Sequence, residues 1–201
     1  MTALLIISLI IWVYLLTVLS RAKLAFFKFL AGSVGMFIFM MITIQPYVTI
    51  PLAKAVAAST GLIGDLTGMF YSYYQYSLIF IEHGMDSISL YIDYECSGVI
   101  ELMAFSALLW FFPIYNSVEK IVLNIAGIMW IFASNIIRLT VICMLVYIFG
   151  NNIFFFAHAI FGRIIFYGLS IILYFYVFTR SQIIKQKVGK FSYGNTAAGN
   201  I

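Results

Sequence analysis

Apolar residues run almost unbroken from Leu4 to Leu19 and again from Ala25 to Ile44, with Ser20-Arg21-Ala22-Lys23 between the two runs and Gln45-Pro46 after the second. Each approaches the roughly 20 residues that a helix needs to cross a bilayer, so spans are predicted at about 3–19 and 25–44. Three more runs follow, at about 96–112, 119–149 and 158–178. Pro113 stops the first because proline cannot continue the hydrogen-bond ladder, and Gly150-Asn151-Asn152 ends the second with residues that accept left-handed backbone. The predicted fold class is an all-α polytopic membrane protein with about five transmembrane helices, forming a single integral-membrane domain over 1–201. The run over 119–149 exceeds a normal crossing. Splitting it at Ser134-Asn135 would put the basic tail outside, so a single tilted or protruding helix is preferred.

Residues 47–95 break this pattern. Leu52–Met69 contains Lys54, Asp65 and several small residues, and reads as one or two helices near the outer interface, with Gly61 and Gly64 as candidate breaks. Tyr71, Tyr73, Tyr74 and Tyr76 form an aromatic cluster of the kind that favours the headgroup level. Gln75–Ile81 and Ser87–Ile92, on either side of Glu82-His83-Gly84-Met85-Asp86, are spaced for a short hairpin. The whole stretch is predicted to be an extracytoplasmic interfacial segment.

Charge orients these elements. Arg21, Lys23 and Lys28 fall between the first two spans, and Arg180, Lys185, Lys187 and Lys190 follow the last. Positive residues favour the cytoplasmic side, so the N-terminus is predicted outside and the tail, 180–201, inside. Six of the seven acidic residues (Asp65, Glu82, Asp86, Asp93, Glu95 and Glu101) lie in the outer segment or just past it. With 64% hydrophobic and 9% charged residues, most of the surface must face the lipid bilayer. The net charge of +4 is dispersed and points to membrane orientation rather than nucleic acid. The first run lacks a basic flank and a cleavage site, so it reads as a retained span rather than a signal peptide.

Topology then makes chemistry visible. At 1.5 Å per residue, Cys96 lies about 25 Å above Pro113, Arg138 about 27 Å above Lys120 and His158 about 33 Å above Arg180. All three fall near the outer edge of a hydrocarbon core about 30 Å thick. An arginine in a transmembrane helix costs about 2.5–3.5 kcal/mol, and such residues usually face a protein interior or polar cavity. Two readings of Arg138 stand side by side: a structural ion pair with Glu101 or Glu95, and a functional cation. Asn135, one turn earlier, extends it into a polar stripe.

Cys96 sits at a predicted helix start, where the dipole and free N–H groups lower a thiol pKa. Taken alone it is equally an inert interfacial cysteine, and Ser97 is a rival nucleophile or a helix cap. His158 is an interfacial histidine by default and the natural base beside a thiol. His83 is the competing histidine, in an apparent loop. Cys143 lies mid-helix and reads as a small hydrophobe. Two isolated histidines lack metal-ligand spacing, and no metal or cofactor is expected.

The ordered set Glu95-Cys96-Ser97-Gly98, then Asn135-Ile136-Ile137-Arg138, then His158 opening the last span, resembles the exosortase/archaeosortase family of membrane transpeptidases. Glu101 after the cysteine and Phe161-Gly162-Arg163 after the histidine look most like the family's Gram-positive exosortase variant. The detailed resemblance covers about residues 90–180, and before residue 60 only hydropathy compares. The resemblance implies a cysteine-type transpeptidase or protease that cuts a C-terminal sorting signal from secreted protein substrates and passes the new carboxyl end to an unknown acceptor. Carried over by position, Cys96 is the nucleophile, His158 the acid/base and Arg138 the electrostatic stabiliser, with Asn135 in an orienting role. The implied location is the cell membrane, multi-pass, with the active site on the extracytoplasmic side. Two other readings stand: an intramembrane transferase acting on a lipid-linked glycan, and a non-catalytic assembly or transport subunit of an envelope export system.

Overall fold

A computed structural model describes residues 2–83 and 86–183. The helices are α1 (Thr2–Arg21), α2 (Ala25–Thr43), α3 (Gln45–Thr67), α4 (Val99–Phe111), α5 (Ser117–Phe149) and α6 (Asn151–Ile183). Between α3 and α4 lies an antiparallel sheet in the order β1 (Phe70–Tyr73), β2 (Leu78–His83), β3 (Asp86–Tyr91). The predicted cytoplasmic tail falls outside the described residues beyond Ile183.

Five helices are long and apolar enough to cross a membrane: α1, α2, α3, α5 and α6. The set differs from the one read from hydropathy. The predicted span at 96–112 begins in turns rather than helix, and α4 has 13 residues, about 20 Å, which is short for a crossing. The stretch assigned to the outer interface contains α3, 23 unbroken residues with the lowest mean hydropathy of the five. Gly61 and Gly64 do not break it. A Cβ on Gly61 would lie 2.5 Å from the Ser72 Cβ, and one on Gly64 2.4 Å from the Phe70 carbonyl oxygen, so both glycines let β1 pack against the helix.

The predicted hairpin forms between β2 and β3, with Ile79 opposite Leu90 and Ile81 opposite Ile88. A third strand extends it, pairing Phe70 with Ile81 and Tyr73 with Leu78. Alternation decides which face packs: Ile79 and Ile81 are fully buried, while Leu78 and Phe80, which alternate with them, are partly exposed.

Helix α5 is a single 33-residue rod of about 50 Å, opened by a capping box between Asn116 and Glu119. Its length serves two cores. The inner half packs Ile131 with Phe105, Leu109, Phe166 and Val177 of α4 and α6. The outer half packs Leu139, Ile142, Cys143 and Val146 with Ala53, Val56 and Ala57 of α3 and with Phe70, Ile79 and Ile81 of the sheet. Tight approach in the inner half depends on Gly127, where a Cβ would overlap the Phe105 ring at 2.1 Å. Helices α1 and α2 flank this bundle, with Trp12 donating to the Ala31 carbonyl at 2.9 Å and its ring meeting Phe111 edge-on. The molecule thus has an inner bundle and an outer lobe joined along α5.

Candidate active site at the seam of the two cores

The segment between β3 and α4 is a series of turns stapled by one carboxylate. Asp93 Oδ1 accepts the backbone N–H groups of Glu95 and Cys96, both at 3.0 Å, and the Asp93 carbonyl accepts the Ser97 N–H at 2.9 Å. Gly98 closes the turn in the left-handed region, φ 81°, which glycine adopts without the Cβ penalty, and α4 starts at Val99. The turn is held from α5 as well: buried Asn135 donates from Nδ2 to the Cys96 carbonyl at 2.7 Å. Cys96 is therefore clamped from two sides through its backbone, and it lines a cavity.

His158 reaches the thiol from α6. It lies in a π-helical turn, Ala157–Phe161, a local widening that often marks functional positions. Its ring stacks on Phe154 at 6.0 Å and 11°, and Nε2 lies 3.7 Å from the Cys96 Sγ. The other ring nitrogen, Nδ1, is buried without a hydrogen-bond partner.

Arg138 comes from α5, one turn beyond Asn135. It is 7% exposed, its guanidinium lies over the Phe166 ring at 5.6 Å, and its Nε has no hydrogen-bond partner. Glu101 Oε2 is likewise buried and unpartnered, so the structural ion pair considered for Arg138 is not made through these atoms. Cys96, Arg138 and His158 line one cavity of about 250 Å³, with Glu95, Glu101 and Arg163 as its other charged residues.

Electrostatics correct one expectation. Burial pushes the Cys96 thiol up to about 11, against the opposing pull of the Arg138 charge, and nearby Asp93 and Glu95 add to the rise. Desolvation outweighs the helix start because Cys96 precedes α4 by three residues rather than opening it. The resting group is a thiol with an imidazole beside it.

The rival residues separate from this site. Ser97 is buried, bonds to the Tyr94 carbonyl at 3.2 Å and is absent from the cavity wall. Cys143 is enclosed in the outer core. The backbone of His83 ends β2, so it lies in a strand rather than a loop. Asp93 was not singled out in the sequence, although an aspartate whose side chain can cap backbone N–H groups two and three residues on is a recognisable turn signal.

This is a multi-pass membrane protein whose buried polar side chains converge on one cavity at the junction of bundle and lobe. The family model described as transmembrane exosortase (Exosortase_EpsH) matches residues 1–176, and the chain belongs to that family. Membership brings a general role as a membrane-embedded sorting transpeptidase. No curated protein and no solved structure matches the chain.

Proposed function

We propose that this protein is a cysteine-type transpeptidase or protease that cleaves a C-terminal sorting signal of secreted proteins at the outer membrane face. The observation that carries this reading is the 3.7 Å approach of Cys96 Sγ to His158 Nε2 in a cavity shared with Arg138. Because burial keeps the thiol protonated, His158 accepts its proton as sulfur attacks the scissile carbonyl. His158 then returns that proton to the leaving amine, and a thioester to Cys96 remains. Arg138, on the wall of the same cavity, provides a donor for the oxyanion or for a substrate carboxylate, a contribution typically worth about 2.7–4 kcal/mol. Asn135 and Asp93 keep the nucleophile in place through its backbone.

The outer-face reading is supported by Arg21, Lys23 and Lys28, since positive residues favour a cytoplasmic α1–α2 turn. Phe29 near that turn packs against Phe112, so the far end of α4, where Cys96 sits, faces out. A reporter fused after Lys28 should read cytoplasm; an external signal there overturns the assignment.

The decisive experiment compares the two cysteines. Cys96→Ala should abolish processing of a co-expressed secreted substrate while the protein still inserts and accumulates. Cys143→Ala should leave processing largely intact. Equal loss from both would mark a folding effect and remove Cys96 as nucleophile.

A further inference from the structure

Thioester formation, as read above, uses a nucleophile, a proton carrier and a hydrogen-bond donor. It gives no task to the half-buried carboxylate in the same cavity. Glu101 stands in the first turn of α4, and its Oε2 is buried with no hydrogen-bond partner. The other acid on the wall, Glu95, is exposed and already accepts the Tyr94 hydroxyl at 3.1 Å. A buried polar atom left unsatisfied typically costs about 1–3 kcal/mol, and more when charged, so a carboxylate on the cavity wall with one oxygen unpartnered fits a ligand that brings donors. Among the described residues of the cavity wall, the buried side-chain atoms without a hydrogen-bond partner are Arg138 Nε, His158 Nδ1 and Glu101 Oε2; of these Arg138 Nε is always a donor and the carboxylate oxygen an acceptor. The donor suits an acyl oxygen. The acceptor suits the second reactant.

We propose that Glu101 forms the acceptor subsite of this enzyme and that the acyl acceptor is a primary amine, bound as its ammonium ion. The inference rests on the Cys96 thioester of the proposed function. The bound ammonium passes one proton to the Glu101 carboxylate, and the neutral nitrogen attacks the thioester carbonyl. The C–N bond forms, the C–S bond breaks, and the second nitrogen proton travels through His158 Nε2 to the departing Cys96 sulfur. Glu101 then releases its proton to water. The products are an amide and the free thiol.

The test uses full-length protein in nanodiscs, acylated by 4-nitrophenyl acetate, with the Cys96-dependent burst of nitrophenolate defined against Cys96→Ala. The acyl-enzyme is then partitioned by mass spectrometry among water, hydroxylamine, which is neutral near pH 7.5, and ethylamine, which is cationic there. Glu101→Gln should lower ethylamide formation relative to hydroxamate by about tenfold or more, as expected for loss of a charge partner. Glu101→Asp should recover part of the ethylamide. In the wild type, millimolar guanidinium, a cation with N–H donors that is not a nucleophile at this pH, should suppress ethylamide selectively, so the subsite is tested even where Glu101→Gln does not fold. Diglycine in solution and phosphatidylethanolamine in the disc then distinguish a peptide amine from a lipid headgroup as the source. A burst with an unchanged product ratio in Glu101→Gln, a parallel fall of all three products, or no selective effect of guanidinium overturns the acceptor subsite alone. Absence of any Cys96-dependent burst removes the thiol mechanism and the subsite with it.

Discussion

Ile79 of the outer lobe and Leu109 of the inner bundle are equally enclosed, each fully buried, yet burial means different things for the two. Ile79 belongs to a core made of a sheet face, α3 and one half of α5, and under the proposed outer-face topology it meets water on unfolding. Removal from water stabilises such a side chain by about 1.5–3 kcal/mol. Leu109 is packed among Phe105, Ile131, Phe166 and Val177, and when the bundle separates it meets lipid, which is as apolar as its neighbours. There shape matters more than hydrophobicity, and the inner bundle accordingly relies on Gly127 against Phe105 and Gly32 against Phe111. The candidate cavity lies at the junction of the two cores, with Cys96 in the outer core cluster and Phe166, beneath Arg138, in the inner one. A seam of this kind can hold a cavity of charged groups, since one neighbour is anchored by hydrophobic burial and the other by close packing.

The strongest way to test the seam is Arg138→Lys. If the guanidinium only balances charge, lysine keeps the function. If its planar fork holds an oxyanion or substrate carboxylate, the compact ammonium cannot replace it. We expect normal accumulation with processing reduced by about 100-fold or more, the usual scale for losing an oxyanion donor. Wild-type processing by this variant would return Arg138 to a structural role and leave a Cys96–His158 pair.

A smaller effect separates the two cores directly. Ile79→Ala should destabilise the outer lobe by about 2–5 kcal/mol, combining transfer and cavity costs. Leu109→Ala should cost about 2 kcal/mol less than that, because the transfer part, at ~0.8 kcal/mol per methylene, largely vanishes against lipid. Cys143, enclosed in the outer core, is the reporter: in a Cys96→Ser background its alkylation should accelerate in Ile79→Ala and hardly change in Leu109→Ala. Equal acceleration would show that the two regions open as one unit.

The smallest effect concerns thiol acidity. Burial first, then the carboxylates, sets the Cys96 thiol at about 11, so its alkylation should climb about tenfold per pH unit between pH 7 and 10 as thiolate forms. Asp93→Asn keeps an oxygen for the Glu95 and Cys96 N–H groups and removes a negative charge that disfavours thiolate. The midpoint should therefore fall, and labelling at pH 7.5 should rise by about twofold to tenfold. A midpoint that stays or rises would mean that desolvation alone governs the nucleophile.

The long apolar runs of the chain were enough to establish a helical membrane protein, since a bilayer requires every backbone group in it to be satisfied within helices. The ordered set of Cys96, Asn135, Arg138 and His158 carried the family resemblance, and the family match over residues 1–176 agrees with it. Depth arithmetic also placed the three proposed catalytic residues near one level, since helical rise is constant. Tertiary structure decided the rest. Whether Gln45–Thr67 was one helix or two turned on β1 packing against Gly61 and Gly64, contacts that hydropathy does not register. The extra strand β1 depended on pairing with β2, a choice made by the neighbouring strand rather than by the segment itself. The start of α4 was set at Val99 by the Asp93 staple and the left-handed Gly98. The acidity of Cys96 was likewise not written in its neighbours along the chain. It follows from how completely three elements distant in sequence, α5, α6 and the β3–α4 turn, exclude water around one sulfur atom.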